Sequence, residues 1–158
     1  MRHTISVLVE NKFGVLARVA GLFSARGFNI SSLAVGETQD PTISQMTIVV
    51  EAPDERILEQ IIKQLRKLID TISVVDLTRK DFVERELALV KIGYDKTSQS
   101  KINALLNRHK QVTRLIRHND NEAIIEVCAT SKEVEEFLHS LQPFGIRELM
   151  RTGRVAIA

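Results

Sequence analysis

The sequence predicts an α+β protein built from two βαββαβ units in tandem. Three observations predict it: runs of period-2 alternation and stripes of period 3.6 follow one another in that order, the order restarts after a charged break near residue 80, and the composition suits small packed cores. Apolar residues make up 44% of the 158 residues and charged ones 27%, with only 7 Gly and 3 Pro, so the chain can bury a core. Its length suits one ordinary domain or two small ones.

In the first unit, Thr4 to Glu10 sets Ile5, Val7 and Val9 against Thr4, Ser6 and Leu8, the mark of a strand with one dry face. After Asn11-Lys12-Phe13-Gly14 the pattern changes to Val15, Leu16, Val19, Leu22 and Phe23, an amphipathic helix stopped by Gly27. Asn29 to Val35 and Ser44 to Glu51 read as a hairpin around a turn containing Asp40-Pro41. Ala52-Pro53-Asp54 then opens a helix with the strongest apolar stripe of the chain, Ile57 to Ile69, and Ile72 to Thr78 closes the unit.

Arg79-Lys80-Asp81 and Glu84-Arg85-Glu86 break the periodicity and read as a linker, placing the units at 1–79 and 80–158. The second unit repeats the order: a strand at 87–92, a helix at 98–109, and a hairpin of 112–118 with 123–129 about Asn119-Asp120-Asn121. Thr130-Ser131-Lys132-Glu133 matches a capping box ahead of a helix that ends before Pro143, and 146–151 is the last strand. Two helices cover one face of each sheet, and apolar residues on the other face, such as Leu8 and Val49, hint at oligomerisation.

Several functions are disfavoured. The 22 basic and 20 acidic residues are interspersed, leaving no block to track a phosphate backbone. A sheet that reads RNA needs stacking aromatics on its central strands, and aromatics are 4% of this chain, so no nucleic-acid partner is expected. Met1-Arg2-His3 leads directly into a strand pattern with no apolar span, so neither a membrane nor a secretory route is expected. Cys128, the single cysteine, reads as inert strand packing, in keeping with a reducing compartment, the cytoplasm or an organelle after transit-peptide removal. His3, His109, His118 and His139 share no ligand spacing, so no metal site is expected. Phosphate-loop, dinucleotide and nucleophile-elbow motifs are absent, so no catalytic residues are expected either.

The informative stretch is the loop Glu10 to Leu16. A glycine at a helix start admits a ligand close to the backbone, and the free N–H groups of the first turn, Val15 and Leu16 among them, attract a carboxylate. Asn29 can accept from an ammonium group and is expected at the same corner, which would complete a site for an amino acid. A tight turn at Gly14 and an ordinary helix exit at Asn29 account for the same spacing.

The segments Arg2 to Asn11, Gly14 to Val19, Arg26 to Ile30 and Asp40-Pro41-Thr42 resemble the small subunits of acetolactate synthase, also called acetohydroxyacid synthase. The resemblance continues through Leu58-Glu59-Gln60, Gln64-Leu65, Val83 to Leu87, Pro143 to Ile146 and Arg151 to Val155, essentially the whole chain. It implies two ferredoxin-like βαββαβ domains, the first an ACT domain, in a non-catalytic regulatory subunit. Such a subunit dimerises through its ACT domains and activates a catalytic large subunit carrying thiamine diphosphate, Mg and FAD. It holds no cofactor itself and confers feedback inhibition by valine in branched-chain amino-acid biosynthesis. By position, the resemblance assigns Asn11, Gly14, Val15, Leu16, Asn29 and Ile30 to a valine site between two ACT domains. The sequence departs from that pattern at Ser31, where relatives commonly carry Glu, and at Gln45, where many carry Arg. A free-standing amino-acid sensor serving another enzyme is the neighbouring possibility, and the second half of the chain counts against it.

Overall fold

A computed structural model describes residues 1–158. It contains two compact units: residues 1–83 together with 154–158, and residues 84–153.

The first unit runs β1 (Arg2–Glu10), α1 (Val15–Ser24), β2 (Ile30–Glu37), β3 (Ile43–Glu51), α2 (Glu55–Leu65) and β4 (Thr71–Asp76). Its four strands lie in the order β2-β3-β1-β4, every neighbouring pair antiparallel. Alternation decides which face is dry. Ile5, Val7 and Val9 of β1 and Met46, Ile48 and Val50 of β3 pack against Val19, Leu22 and Phe23 of α1 and Leu58, Ile61 and Leu65 of α2. Each such side chain, fully buried, contributes about 1.5–3 kcal/mol, which is what orders a unit this small. Asp54 caps α2 by accepting from the Ile57 N–H at 2.9 Å. The helix stops at Leu65, short of the apolar stripe read from the sequence, and leaves Ile69 exposed.

The second unit repeats the plan with β5 (Val83–Gly93), α3 (Gln99–Arg108), β6 (Thr113–His118), β7 (Glu122–Ala129), α4 (Ser131–Leu141) and β8 (Ile146–Arg151), its strands in the order β6-β7-β5-β8. The expected capping box is present: Thr130 accepts from the Glu133 N–H, and Glu133 accepts from that of Thr130. A short strand, β9 (Val155–Ile157), follows and belongs with the first unit.

Two readings need correction. Glu84-Arg85-Glu86 is not linker but the start of β5, because Glu86, buried, meets the Arg151 guanidinium of β8 at 2.6 and 3.0 Å. That contact, with a second to Glu135, holds the Arg151 pKa above its ordinary value. A paired charge thus occupies a position that periodicity reserves for an apolar residue. Cys128 is on a strand as expected, yet exposed, since Ala123, Ile125, Val127 and Ala129 take the dry face of β7.

Candidate effector site

The loop between β1 and α1 is pinned from both sides. The Asn11 N–H donates to the Thr42 carbonyl at 2.7 Å, and its side-chain amide donates to the Pro41 carbonyl at 2.9 Å and to Glu37 at 3.0 Å. Asn11 therefore ties the loop to the hairpin between β2 and β3 and places it at the end of β2. On the other side the Glu10 N–H donates to the Asp70 carbonyl, and the buried Asp70 carboxylate takes both Nε and Nη2 of Arg18 at 2.7 Å. Lys12 pairs with Glu10 at 2.7 Å, a hydrogen bond that raises its pKa. Phe13, at the tip, is fully exposed.

Gly14 forms the N-cap of α1 with φ +81°, a conformation that favours glycine, and supplies no capping side chain. The first turn also lacks an acidic residue. The Val15 N–H turns back to the Lys12 carbonyl at 3.3 Å, whereas no protein acceptor meets those of Leu16 and Ala17. With the helix dipole these two donors make a position suited to a carboxylate. The Arg18 guanidinium borders it: a Cβ at position 14 would lie 3.0 Å from Nη1. Sequence reasoning did not single out Arg18 and Asp70; the available signal was an acid closing the turn after an apolar helix, opposite an arginine one turn into α1.

Asn29 and Ile30 stand elsewhere. Ile30 pairs with Val50 and so does His3, whereas Glu10 at the loop end pairs with Ile43. Seven strand positions at ~3.4 Å separate the two ends by about 24 Å. The expectation that Asn29 shares a corner with the loop is therefore corrected. β1 and β2 run in the same direction, and α1 carries the chain back to the far end before β2 begins. Within one chain the structure brings together Asn11, Gly14, Val15 and Leu16, and it sets Asn29 and Ile30 apart.

Elsewhere no group of three or more His, Cys, Asp or Glu is placed to hold a metal ion, and no helix is long and apolar enough to cross a membrane. All six Phe residues fall outside the strands, so the sheets offer no phenylalanine platform for bases.

The fold and loop define a class: a βαββαβ unit whose second helix is capped by a side chain while its first is not, followed by a second unit of like topology. Comparison with known proteins gives the family. Residues 5–73 match the family described as AHAS small subunit-like ACT domain, and residues 85–158 match that described as small subunit of acetolactate synthase. The chain is 48% identical over 157 residues to a probable acetolactate synthase small subunit of Archaeoglobus fulgidus, covering 99% of this chain and 96% of that one. It is 46% identical over 156 residues to the acetolactate synthase small subunit of Mycolicibacterium smegmatis, covering 99% and 90%. The crystal structure of the acetolactate synthase small subunit from Thermotoga maritima superposes with a TM-score of 0.88 at 38% identity, covering 99% of this chain and 96% of that one. This chain belongs to the acetolactate synthase small subunit family.

Proposed function

We propose that the chain is the regulatory, non-catalytic subunit of a cytoplasmic acetolactate synthase. It binds the large catalytic subunit, which carries thiamine diphosphate, Mg and FAD, raises its activity, and passes on feedback inhibition by valine. The observation that carries this reading is the family match across both units, over 99% of the chain.

The site geometry supports a valine effector bound by two copies. The open first turn of α1 suits the ligand's carboxylate, and Asn29 offers an acceptor for its ammonium group. Those halves lie at opposite ends of one β2, which is also the outermost strand of its sheet. From Ile30 to Gly36 this edge carries no charged residue and no proline, and Val35 on it is 45% exposed. An unguarded edge of this kind is a template for another strand. If two β2 strands join antiparallel, the start of one lies beside the end of the other, where Asn11 reaches Glu37. Asn29 and Ile30 of one chain then face Asn11, Gly14, Val15 and Leu16 of its partner, giving two sites per dimer. Leu8 and Val49 are not what points to this dimer: Val49 is buried within the chain, and Leu8 is half-buried.

Inhibition follows by linkage. An effector that binds one state of the assembled enzyme more tightly shifts the population towards it, with couplings typically of about 1–3 kcal/mol. The test is acetolactate formation by the cognate catalytic subunit with and without this chain, each with and without valine. Activation that valine reverses is expected; an unchanged rate in all four arms would remove the reading.

A further inference from the structure

Arg154 to Ala158 lie on the face of the first sheet that the helices leave open. The Arg154 N–H donates to Ser32 Oγ of β2 at 3.5 Å, Arg154 Nη1 to Thr4 Oγ1 of β1 at 2.7 Å, and the Ala156 N–H to Thr47 Oγ1 of β3 at 3.3 Å. These positions form a pattern. Ser32 and Thr4 both pair with Val49, one from each side, so Arg154 bridges a single cross-strand row from β2 to β1, and Val49 between them is buried. Thr47 and Ala156 are buried one row further along. Before this segment, Thr152 is fixed to β5: its N–H donates to the Leu87 carbonyl at 3.0 Å and its hydroxyl accepts from the Leu87 N–H at 3.2 Å.

We propose that residues 154–158 are a strap through which the effector-bound state of the first unit reaches the second. The proposal rests on the valine-site reading above and extends it to transmission. Ser32 follows directly on the bulge of β2 between Ile30 and Ser32, next to the half-site at Asn29 and Ile30. A ligand that fixes the start of β2 fixes the Ser32 hydroxyl with it, and so biases the strap between attached and released. The chain then carries that bias through Gly153 to the anchor at Leu87. Arg154, Thr47 and Ser32 are positioning residues in this scheme, since none touches the effector.

The experiment uses the full chain with its cognate catalytic subunit. Arg154→Met and Thr47→Val each remove a strap contact while keeping size, and Thr47→Ser retains the hydroxyl. Valine binding to the small subunit, read by calorimetry, is expected to weaken by no more than the severalfold factor by which valine protects the strap in Arg154→Met and Thr47→Val, and to return to the wild-type value in Thr47→Ser. The valine concentration for half-inhibition of the holoenzyme is expected to rise about tenfold in Arg154→Met and Thr47→Val, within the usual span of allosteric coupling, and to return in Thr47→Ser. In the wild type, valine is expected to slow hydrogen exchange at the amides of 155–157 severalfold. Unchanged inhibition in the strap variants, or exchange at 155–157 indifferent to valine, overturns the strap. A wild-type chain that binds no valine overturns the effector reading itself, and the strap with it.

Discussion

The two units share one topology but brace the loops before their first helices differently. In the second unit the loop after β5 reads Tyr94-Asp95-Lys96-Thr97-Ser98, and the Asp95 carboxylate accepts from the N–H groups of Thr97 and Ser98 at 2.9 and 2.7 Å and from the Thr97 hydroxyl at 2.6 Å. These bonds, the Thr97 hydroxyl first, pull the Asp95 pKa down to about 2. In the first unit the equivalent loop ends on Gly14, and Leu16 and Ala17 point their N–H groups at no protein acceptor. The difference lies in the loop and not in the helix start: Ser98, the N-cap of α3, supplies no side-chain cap either, and the N–H groups of Ser100 and Lys101 likewise meet no protein acceptor.

The largest expected effect comes from filling the open helix start of the first loop. Gly14→Asp places a fixed carboxylate at the N-terminus of α1 at a strained φ, and should weaken valine binding by at least ~100-fold, the cost of about two charge-assisted hydrogen bonds. Activation of the catalytic subunit should be largely retained. Calorimetry and the acetolactate assay read the two effects separately.

Next in size is Arg151→Met, which strips the buried Glu86 carboxylate of its guanidinium. A fall in stability of about 3 kcal/mol is expected in denaturant unfolding of the second unit, with valine binding by the first unit unchanged. Equal weakening of both properties would mean that the units are not energetically separable.

Asn29→His should abolish inhibition by crowding the pocket while sparing activation, and inhibition curves overlapping those of the wild type would remove Asn29 from the site.

The smallest effect concerns pH. The folded pKa of Asp95, about 2, lies below the ordinary 3.8, so its contribution to stability is present above about pH 4 and is lost as pH falls through about 2. Asp95→Asn should therefore flatten the acid side of the second unit's stability profile in that window and leave the first unit's unaltered. Unit-resolved hydrogen exchange as a function of pH reads this.

The sequence carried much of this plan because each core strand and helix keeps its period, from Ile5-Val7-Val9 to Val134, Phe137 and Leu138. Local capping was legible for the same reason: Thr130 and Glu133 make their contacts within four residues. What escaped was non-local. The reach from Glu86 to Arg151 spans 65 residues and turned an apparent linker into a strand. The contact from Thr4 to Arg154 spans 150 residues and leaves no periodic trace. Asn29 was identified from its residue type and family position, but its placement depended on the direction of β2, which spacing along the chain does not encode.

The central claim is that two chains complete each effector site, and mixing two defective chains tests it most directly. In a dimer of one Gly14→Asp chain and one Asn29→His chain, one site carries both substitutions and the other carries neither. Calorimetry of the purified mixed dimer should recover valine binding at about half the wild-type stoichiometry with wild-type affinity. A mixed dimer as defective as its parents would place the loop and Asn29 in sites that do not cross between chains, and would contradict the account.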